Sequence, residues 1–125
     1  MKRPALSAQV LIVLGWGWVQ AEQVRTPVPD ARPVLLAALQ AADGAAHGVL
    51  TGALADAITQ HFRATSPIYI DVSTEKRYRQ PGCSRLQVVF WQDGVHLPAD
   101  KGPRRQTIEF GLNYCLDGLP PQSLS

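Results

Sequence analysis

The chain has 125 residues, of which 46% are hydrophobic, with 12 basic and 10 acidic side chains and a formal net charge of +2. This length suits one small domain and is too short for two. The near balance of charge argues against a protein that binds nucleic acid through bulk electrostatic attraction.

The first 21 residues have the three-part pattern of a secretory signal peptide. Lys2 and Arg3 give a cationic start, residues 10–18 form an apolar run, and Ala21 ends a segment suited to cleavage. The run is about half of what a membrane-spanning helix needs, so we expect cleavage and no membrane span afterwards, with a retained anchor as the alternative. Cleavage after residue 21 of the 125 leaves 104 residues, with ten basic and ten acidic side chains. The sequence therefore predicts a periplasmic or secreted bacterial protein.

A short first helix is predicted after an N-terminal arm. Residues 22–32 contain two prolines and few apolar side chains, which is typical of a flexible, extended arm. Pro33 suits the first turn of a helix, where its missing N–H has no partner to lose. Leu and Ala then dominate up to Ala42, and Asp43-Gly44 is a typical helix stop.

A second helix is predicted from an apolar pattern that recurs every four residues between Val49 and Phe62. This spacing places the apolar side chains on one helical stripe, which we expect to face the core. Pro67 disfavours helical geometry at the residue before it, so the helix should end near Thr65.

Three strands are predicted where the apolar period falls to two, at residues 68–72, 86–91 and 108–114. They predict a three-stranded antiparallel meander packed on the second helix. The predicted fold is thus a single α+β domain over residues 33–118, with two N-terminal helices on that meander and one disulfide. Residues 119–125 are predicted to form an extended tail.

The two cysteines predict the register of the last two strands. An even cysteine count in an exported chain favours a disulfide between Cys83 and Cys115, with two unpaired buried cysteines as the alternative. If these residues face each other, apolar side chains meet at every rung, and a shift by one residue would destroy the match. The resulting pairs are Leu86 with Leu112, Val88 with Phe110, and Phe90 with Ile108.

Residues 92–105 are predicted to connect the second and third strands, and this connection is long for a hairpin. It is interpreted either as a binding loop or as a mobile insertion without a role. Residues 74–105, which also include the connection between the first two strands, contain basic and aromatic side chains that fit an acidic protein, a phospholipid headgroup or a polyanion. The alternative is an ordinary solvated surface. The candidate partner-binding residues are Tyr78, Arg79, Arg85, Trp91, His96, Arg104 and Arg105.

No catalytic, metal-binding or cofactor-binding motif is apparent in the sequence. The two cysteines and three histidines lack the short paired spacings of a structural zinc site. We therefore predict no enzyme activity and no cofactor. A small hydrolase that uses His61 or His96 is the weakest of the alternatives.

The C-terminal half resembles small exported proteins encoded in bacterial conjugative-transfer regions, whose gene clusters build type IV secretion systems. The resemblance covers residues 66–124 and depends on three segments, residues 81–88 (PGCSRLQV), 91–95 (WQDGV) and 105–118 (RQTIEFGLNYCLDG). Such proteins are mostly uncharacterised, so the resemblance implies a setting and no catalytic residues.

Together these patterns predict a non-enzymatic periplasmic accessory protein that contacts envelope or secretion-system proteins and binds no specific nucleic acid. Support of conjugative DNA transfer is the refinement that the resemblance implies. A small inhibitor or immunity-like protein that acts on an exported enzyme or toxin is the main alternative. The sequence leaves the oligomeric state open.

Overall fold

The computed structural model describes residues 24–99 and 101–125, so the predicted signal peptide lies outside the described residues. In this part of the chain neither helix has the length and apolar character needed to cross a membrane. The elements in chain order are β1 (Thr26–Val28), α1 (Arg32–Gln40), β2 (Ala45–Leu50), α2 (Ala53–His61), β3 (Ile68–Arg77), β4 (Cys83–Val95) and β5 (Arg104–Cys115).

The strands form one mixed sheet in the order β1-β2-β3-β4-β5. β1 is parallel to β2, and the later neighbours are all antiparallel. The predicted fold of two N-terminal helices on a three-stranded meander is therefore wrong. The sheet has five strands, and the prediction lacked β1 and β2. β1 comes from the segment predicted as an arm, where Pro27 is tolerated since an edge strand needs fewer ladder N–H groups.

Helix α1 lies on the sheet because it connects two parallel strands. Parallel neighbours cannot be joined by a tight turn, so the chain must cross over one face between β1 and β2. The predicted first helix is confirmed, with Pro33 in its first turn. The helix can approach β2 closely because Gly48 has no side chain: a Cβ there would lie 2.6 Å from Val34 Cγ2.

The core lies between α1 and the face of the sheet that we call the covered face. Alternating strand residues point to it, and their apolar side chains exclude water from the interface. The fully buried members on β3 and β4 are Ile70, Val72, Leu86 and Val88. They pack with Val28 and with the helix residues Val34, Leu35, Ala38 and Leu39.

The predicted second helix over residues 49–65 is wrong in its bounds and in its packing. Val49 and Leu50 belong to β2, and α2 covers only Ala53–His61. Ala55 is its one buried residue, and Leu54 is 73% exposed. The sheet packs on α1 instead, because the crossover places that helix over the strands.

The predicted register of β4 and β5 is confirmed. Cys83 faces Cys115, and the pairs Leu86–Leu112, Val88–Phe110 and Phe90–Ile108 are those expected. The disulfide closes the pair at one end of the sheet, and both cysteines are buried. Matching of apolar side chains and the crosslink therefore specify the same alignment.

The connection between β4 and β5 is shorter than the predicted residues 92–105. β4 continues to Val95 and β5 begins at Arg104. A β-bulge between Gln92 and Val95 absorbs one extra residue, and Gly94 supplies its positive φ of 70°. Asp93-Gly94 therefore changes the direction of β4, and the strand continues beyond it to Val95.

Candidate functional site

The other side of the sheet, which we call the open face, carries a polar and aromatic surface. It presents the residues that alternate with the core side chains, such as Tyr69 and Asp71 on β3 and Val89 and Trp91 on β4. Of the described helices, α1 packs on the covered face, and α2 contributes Ile58 to a cavity shared with covered-face residues. An uncovered sheet face with large aromatic side chains is a candidate contact surface.

Asp71 is the centre of this surface and is contacted by three side chains from different parts of the chain. Arg25 Nη1 lies 2.9 Å from Asp71 Oδ1, and His47 Nδ1 lies 2.7 Å from the same oxygen. Trp91 Nε1 donates to Asp71 Oδ2 at 2.7 Å. The carboxylate therefore fixes a tryptophan on β4, a histidine on β2 and an arginine that precedes β1.

Two guanidinium groups lie against the aromatic rings of the same region. Arg25 is 4.5 Å from the centre of the Tyr69 ring and 5.4 Å from that of Trp91. Arg105 is 4.1 Å from the centre of the Trp91 ring, and the Tyr69 and Trp91 rings are 4.4 Å apart. Cation–π contacts of this kind hold rings and cations in fixed orientations. We call the set Arg25, His47, Tyr69, Asp71, Trp91 and Arg105 the Asp71 cluster.

The arginines of the cluster are paired with carboxylates. Partial burial alone would raise the pKa of Asp71, but hydrogen bonds from His47, Arg25 and Trp91 outweigh it and hold the pKa below 3.8. Hydrogen bonds from Arg105, at 2.6 Å and 3.1 Å, likewise lower the pKa of Asp93. Both carboxylates are therefore ionised at neutral pH, and each arginine of the cluster has an acidic partner, Asp71 for Arg25 and Asp93 for Arg105.

The geometry of the cluster holds its side chains in fixed positions. Asp71 accepts from three donors and orients the cluster, so its carboxylate is committed to holding side chains in place. Among the described residues no group of His, Cys, Asp or Glu is arranged to hold a metal ion. Rigid aromatic and arginine side chains are the types that dominate protein interfaces energetically.

The structure places the seven predicted partner-binding residues in two groups and does not bring all of them together. Trp91 and Arg105 lie in the Asp71 cluster. Tyr78 and Arg85 lie at the disulfide end, where both donate to Asn113 Oδ1. Arg85 is six residues from Trp91 along β4, a separation of about 20 Å.

The remaining predicted residues lie around these two groups. The Arg79 N–H donates to the Ser125 carbonyl at 2.8 Å, which ties the C-terminal residue to the connection between β3 and β4. His96 donates its N–H to the Phe62 carbonyl after β4 ends. Arg104 is the first residue of β5 and is exposed. His61, the other histidine of the hydrolase alternative, is exposed on α2 beside the Phe62 ring.

Four members of the Asp71 cluster were missed at the level of sequence: Arg25, His47, Tyr69 and Asp71. Tyr69 and Asp71 had a usable signal, since they alternate with Ile68, Ile70 and Val72 and so had to face away from the core. His47 and Arg25 had none, because their positions depend on β2 and β1.

A cavity of about 370 Å³ lies at the end of the covered face that α1 leaves uncovered, beside α2. Apolar side chains line most of it, among them Ile58, Phe62 and Ile108. Gln92 is a polar exception, and its amide already donates to Thr59 Oγ1 and to the Ser66 carbonyl. The cavity therefore offers apolar surface and little polar chemistry.

Comparison of the chain with protein-family models, with curated proteins and with solved structures found no match.

Proposed function

We propose that this chain is an exported, non-enzymatic binding protein that contacts another envelope protein through the Asp71 cluster. The observation that carries the proposal is the fixed position of Trp91, held by Asp71 and flanked by the guanidinium groups of Arg25 and Arg105. A tryptophan ordered before binding loses little side-chain entropy when a partner covers it. Such residues are frequent energetic centres of protein interfaces.

The charges of the cluster favour a protein partner over nucleic acid. Arg25 is paired with Asp71, and Arg105 with Asp93. Two paired cations release few counterions to a phosphate backbone, so they contribute little to nucleic-acid affinity. A protein surface with apolar and hydrogen-bonding groups instead gains from the exposed parts of both rings.

Export and the envelope setting are supported by the disulfide and by the sequence. A crosslink between Cys83 and Cys115 is stable in an oxidising compartment such as the periplasm. The signal-peptide pattern directs the chain there. Because the chain resembles proteins of conjugative-transfer regions, we propose that its partner is a component of the secretion machinery.

Site-directed photocrosslinking in cells tests this proposal. Thr107 lies directly opposite Trp91 in the β4–β5 register, on the same face of the sheet. A photoreactive residue at position 107 would therefore lie next to a partner bound at the cluster. Position 54 on α2 is the matched control, because Leu54 is exposed on another surface. We expect an envelope-protein adduct from position 107 that is absent from position 54.

The substitution Trp91→Ala sharpens the same experiment. Loss of an interface tryptophan typically weakens binding at least tenfold, so the adduct should fall by about that factor while the fold persists. Leu54→Ala should leave the adduct unchanged. Equal adducts from wild type and Trp91→Ala would refute the proposal, and an adduct with a single exported enzyme would favour the inhibitor alternative.

A further inference from the structure

The outer edge of β5 is long and partly apolar. β5 pairs with β4 on one side, and among the described strands none pairs with its other side. Ile108 and Phe110 lie on the covered face of this strand but are 65% and 43% exposed, whereas Leu112 and Tyr114 on the same face pack against the core. An exposed edge strand with apolar side chains is a typical site for pairing with another strand.

The hydrogen bonds around the disulfide show which backbone groups of β5 point outward. The Cys83 N–H donates to Gln80 and the Cys115 N–H to Leu119, so these two opposed cysteines do not hydrogen-bond each other. Bonded and non-bonded pairs alternate along antiparallel strands. The odd-numbered residues of β5 therefore point their N–H and C=O groups away from β4, which leaves Thr107, Glu109, Gly111 and Asn113 to pair with a further strand.

We propose that two copies of this chain associate by antiparallel pairing of their β5 strands, with Phe110 on the two-fold axis. In this register Phe110 faces its counterpart, and Ile108 faces Leu112 of the second copy. Glu109 and Gly111 of opposite copies exchange the outward hydrogen bonds. Apolar side chains thus meet at each central rung of the covered face, where cross-strand pairs stabilise a sheet.

Charge complementarity selects this register. Gly111 has no side chain, and the Arg85 guanidinium lies over it, so that a Cβ at that position would collide with Arg85. Arg85 is also paired with Glu75 of its own chain, at 3.3 Å. Glu109 of the second copy lies directly opposite Gly111 on the same face, so its carboxylate joins Glu75 as a second partner of Arg85. The symmetry makes this contact twice.

The two neighbouring symmetric registers lack this match. A two-fold axis at Glu109 would oppose two carboxylates, and an axis at Gly111 would bring two Arg85 guanidinium groups together. Like charges directly opposite each other destabilise a strand pair. The Phe110 axis avoids both and joins two five-stranded sheets into one, with both Asp71 clusters on the same face.

Charge reversal tests the proposal on the oxidised full chain by sedimentation velocity between about 10 μM and 1 mM, the range expected for a small interface. Wild type should form a dimer whose fraction rises with concentration. Glu109→Arg opposes two arginines, and Arg85→Glu opposes two glutamates. Each variant alone should weaken the dimer by more than about tenfold, since two contacts are lost per dimer.

A mixture of the two variants provides the decisive measurement. Each contact in the mixed pair again joins one arginine to one glutamate, so an equimolar mixture should regain a dimer that neither variant forms alone. Recovery on mixing also shows that both variants are folded. Asp56→Arg, an equal charge change on exposed α2, is the control and should dimerise like wild type.

Two results would overturn the proposal. A wild-type chain that stays monomeric at about 1 mM has no self-association at this edge, and a strand of another protein would then be the occupant. A mixture that stays monomeric while wild type dimerises would place the interface elsewhere.

Discussion

The two faces of the sheet are built from the same strands but carry different kinds of side chain. On the covered face, neighbouring strands present apolar side chains that α1 shields from water. On the open face, the intervening residues form a network of hydrogen bonds, ion pairs and cation–π contacts around Asp71. Apolar burial on the covered face therefore supplies most of the folding free energy, which leaves the open face available for recognition.

The disulfide crosslinks β4 and β5, which contribute to both faces, so its removal should have the largest effect on stability. The double substitution Cys83→Ser with Cys115→Ser reopens a crosslink across 32 residues. The chain-entropy model gives a loss of about 3–4 kcal/mol in unfolding free energy. Urea denaturation followed by fluorescence measures it, and wild type with reductant should match the double variant. An unchanged midpoint would show that the crosslink contributes nothing to stability.

A single pair of adjacent valines tests the difference between the faces most directly. Val88 is fully buried on the covered face, whereas Val89 is half-buried on the open face. Val88→Ala should cost about 2 kcal/mol, because it removes buried methyl groups and leaves a cavity. Val89→Ala should cost less than about 1 kcal/mol, since water already reaches that side chain. Equal losses in urea denaturation would mean that the open face is as well packed as the core.

The sequence predicted the parts of the fold whose signals are local. Alternation on β4 and β5 together with two cysteines determined the register, and Pro33 determined the start of α1. β2 was missed because Val49-Leu50 is in helical phase with Ala53-Leu54. Its pairing with β1 and β3, which are distant in sequence, makes the segment a strand. Tertiary context decided this element, as it often does for short apolar segments.

The candidate site was likewise predicted only where its residues lie on or beside predicted strands. Trp91 and Arg105 are on strands that were foreseen, or next to them, and both were candidate partner-binding residues. His47 falls between the two predicted helices, and Arg25 in the segment predicted as a flexible arm. Neither residue can be assigned to the open face unless it is known that β1 and β2 extend the sheet beyond β3.

Gly48 gives a third test, because it sets how closely α1 approaches the covered face. A Cβ at this position would lie 2.6 Å from Val34 Cγ2 and 3.2 Å from the Thr26 carbonyl. Gly48→Ala should therefore cost about 1–3 kcal/mol by overpacking the interface of helix and sheet. Gly102→Ala is the matched control, since a Cβ there meets open space. Thermal melts of both variants compare them, and equal melting temperatures would show that α1 can move away at no cost.

Asp71 tests the open face through its charge, and its effect on stability should be smaller than that of the disulfide. Asp71→Asn removes the charge that Arg25 and His47 contact but keeps the size of the side chain, and we expect a loss of about 1–2 kcal/mol at neutral pH. The folded-state pKa of Asp71 is lowered below 3.8, so its carboxylate stabilises the protein above that pH. As pH falls through the folded-state pKa, protonation removes this contribution.

The difference in unfolding free energy between wild type and Asp71→Asn should therefore shrink as the pH falls below about 4, where the Asp71 carboxylate becomes protonated. Urea denaturation at a series of pH values measures this difference. Asp30 and Asp93 also have lowered pKa values, but both remain in the variant, so their acid dependence cancels in the subtraction. A difference that is unchanged down to pH 2 would mean that the Asp71 carboxylate does not stabilise the open face through its charge.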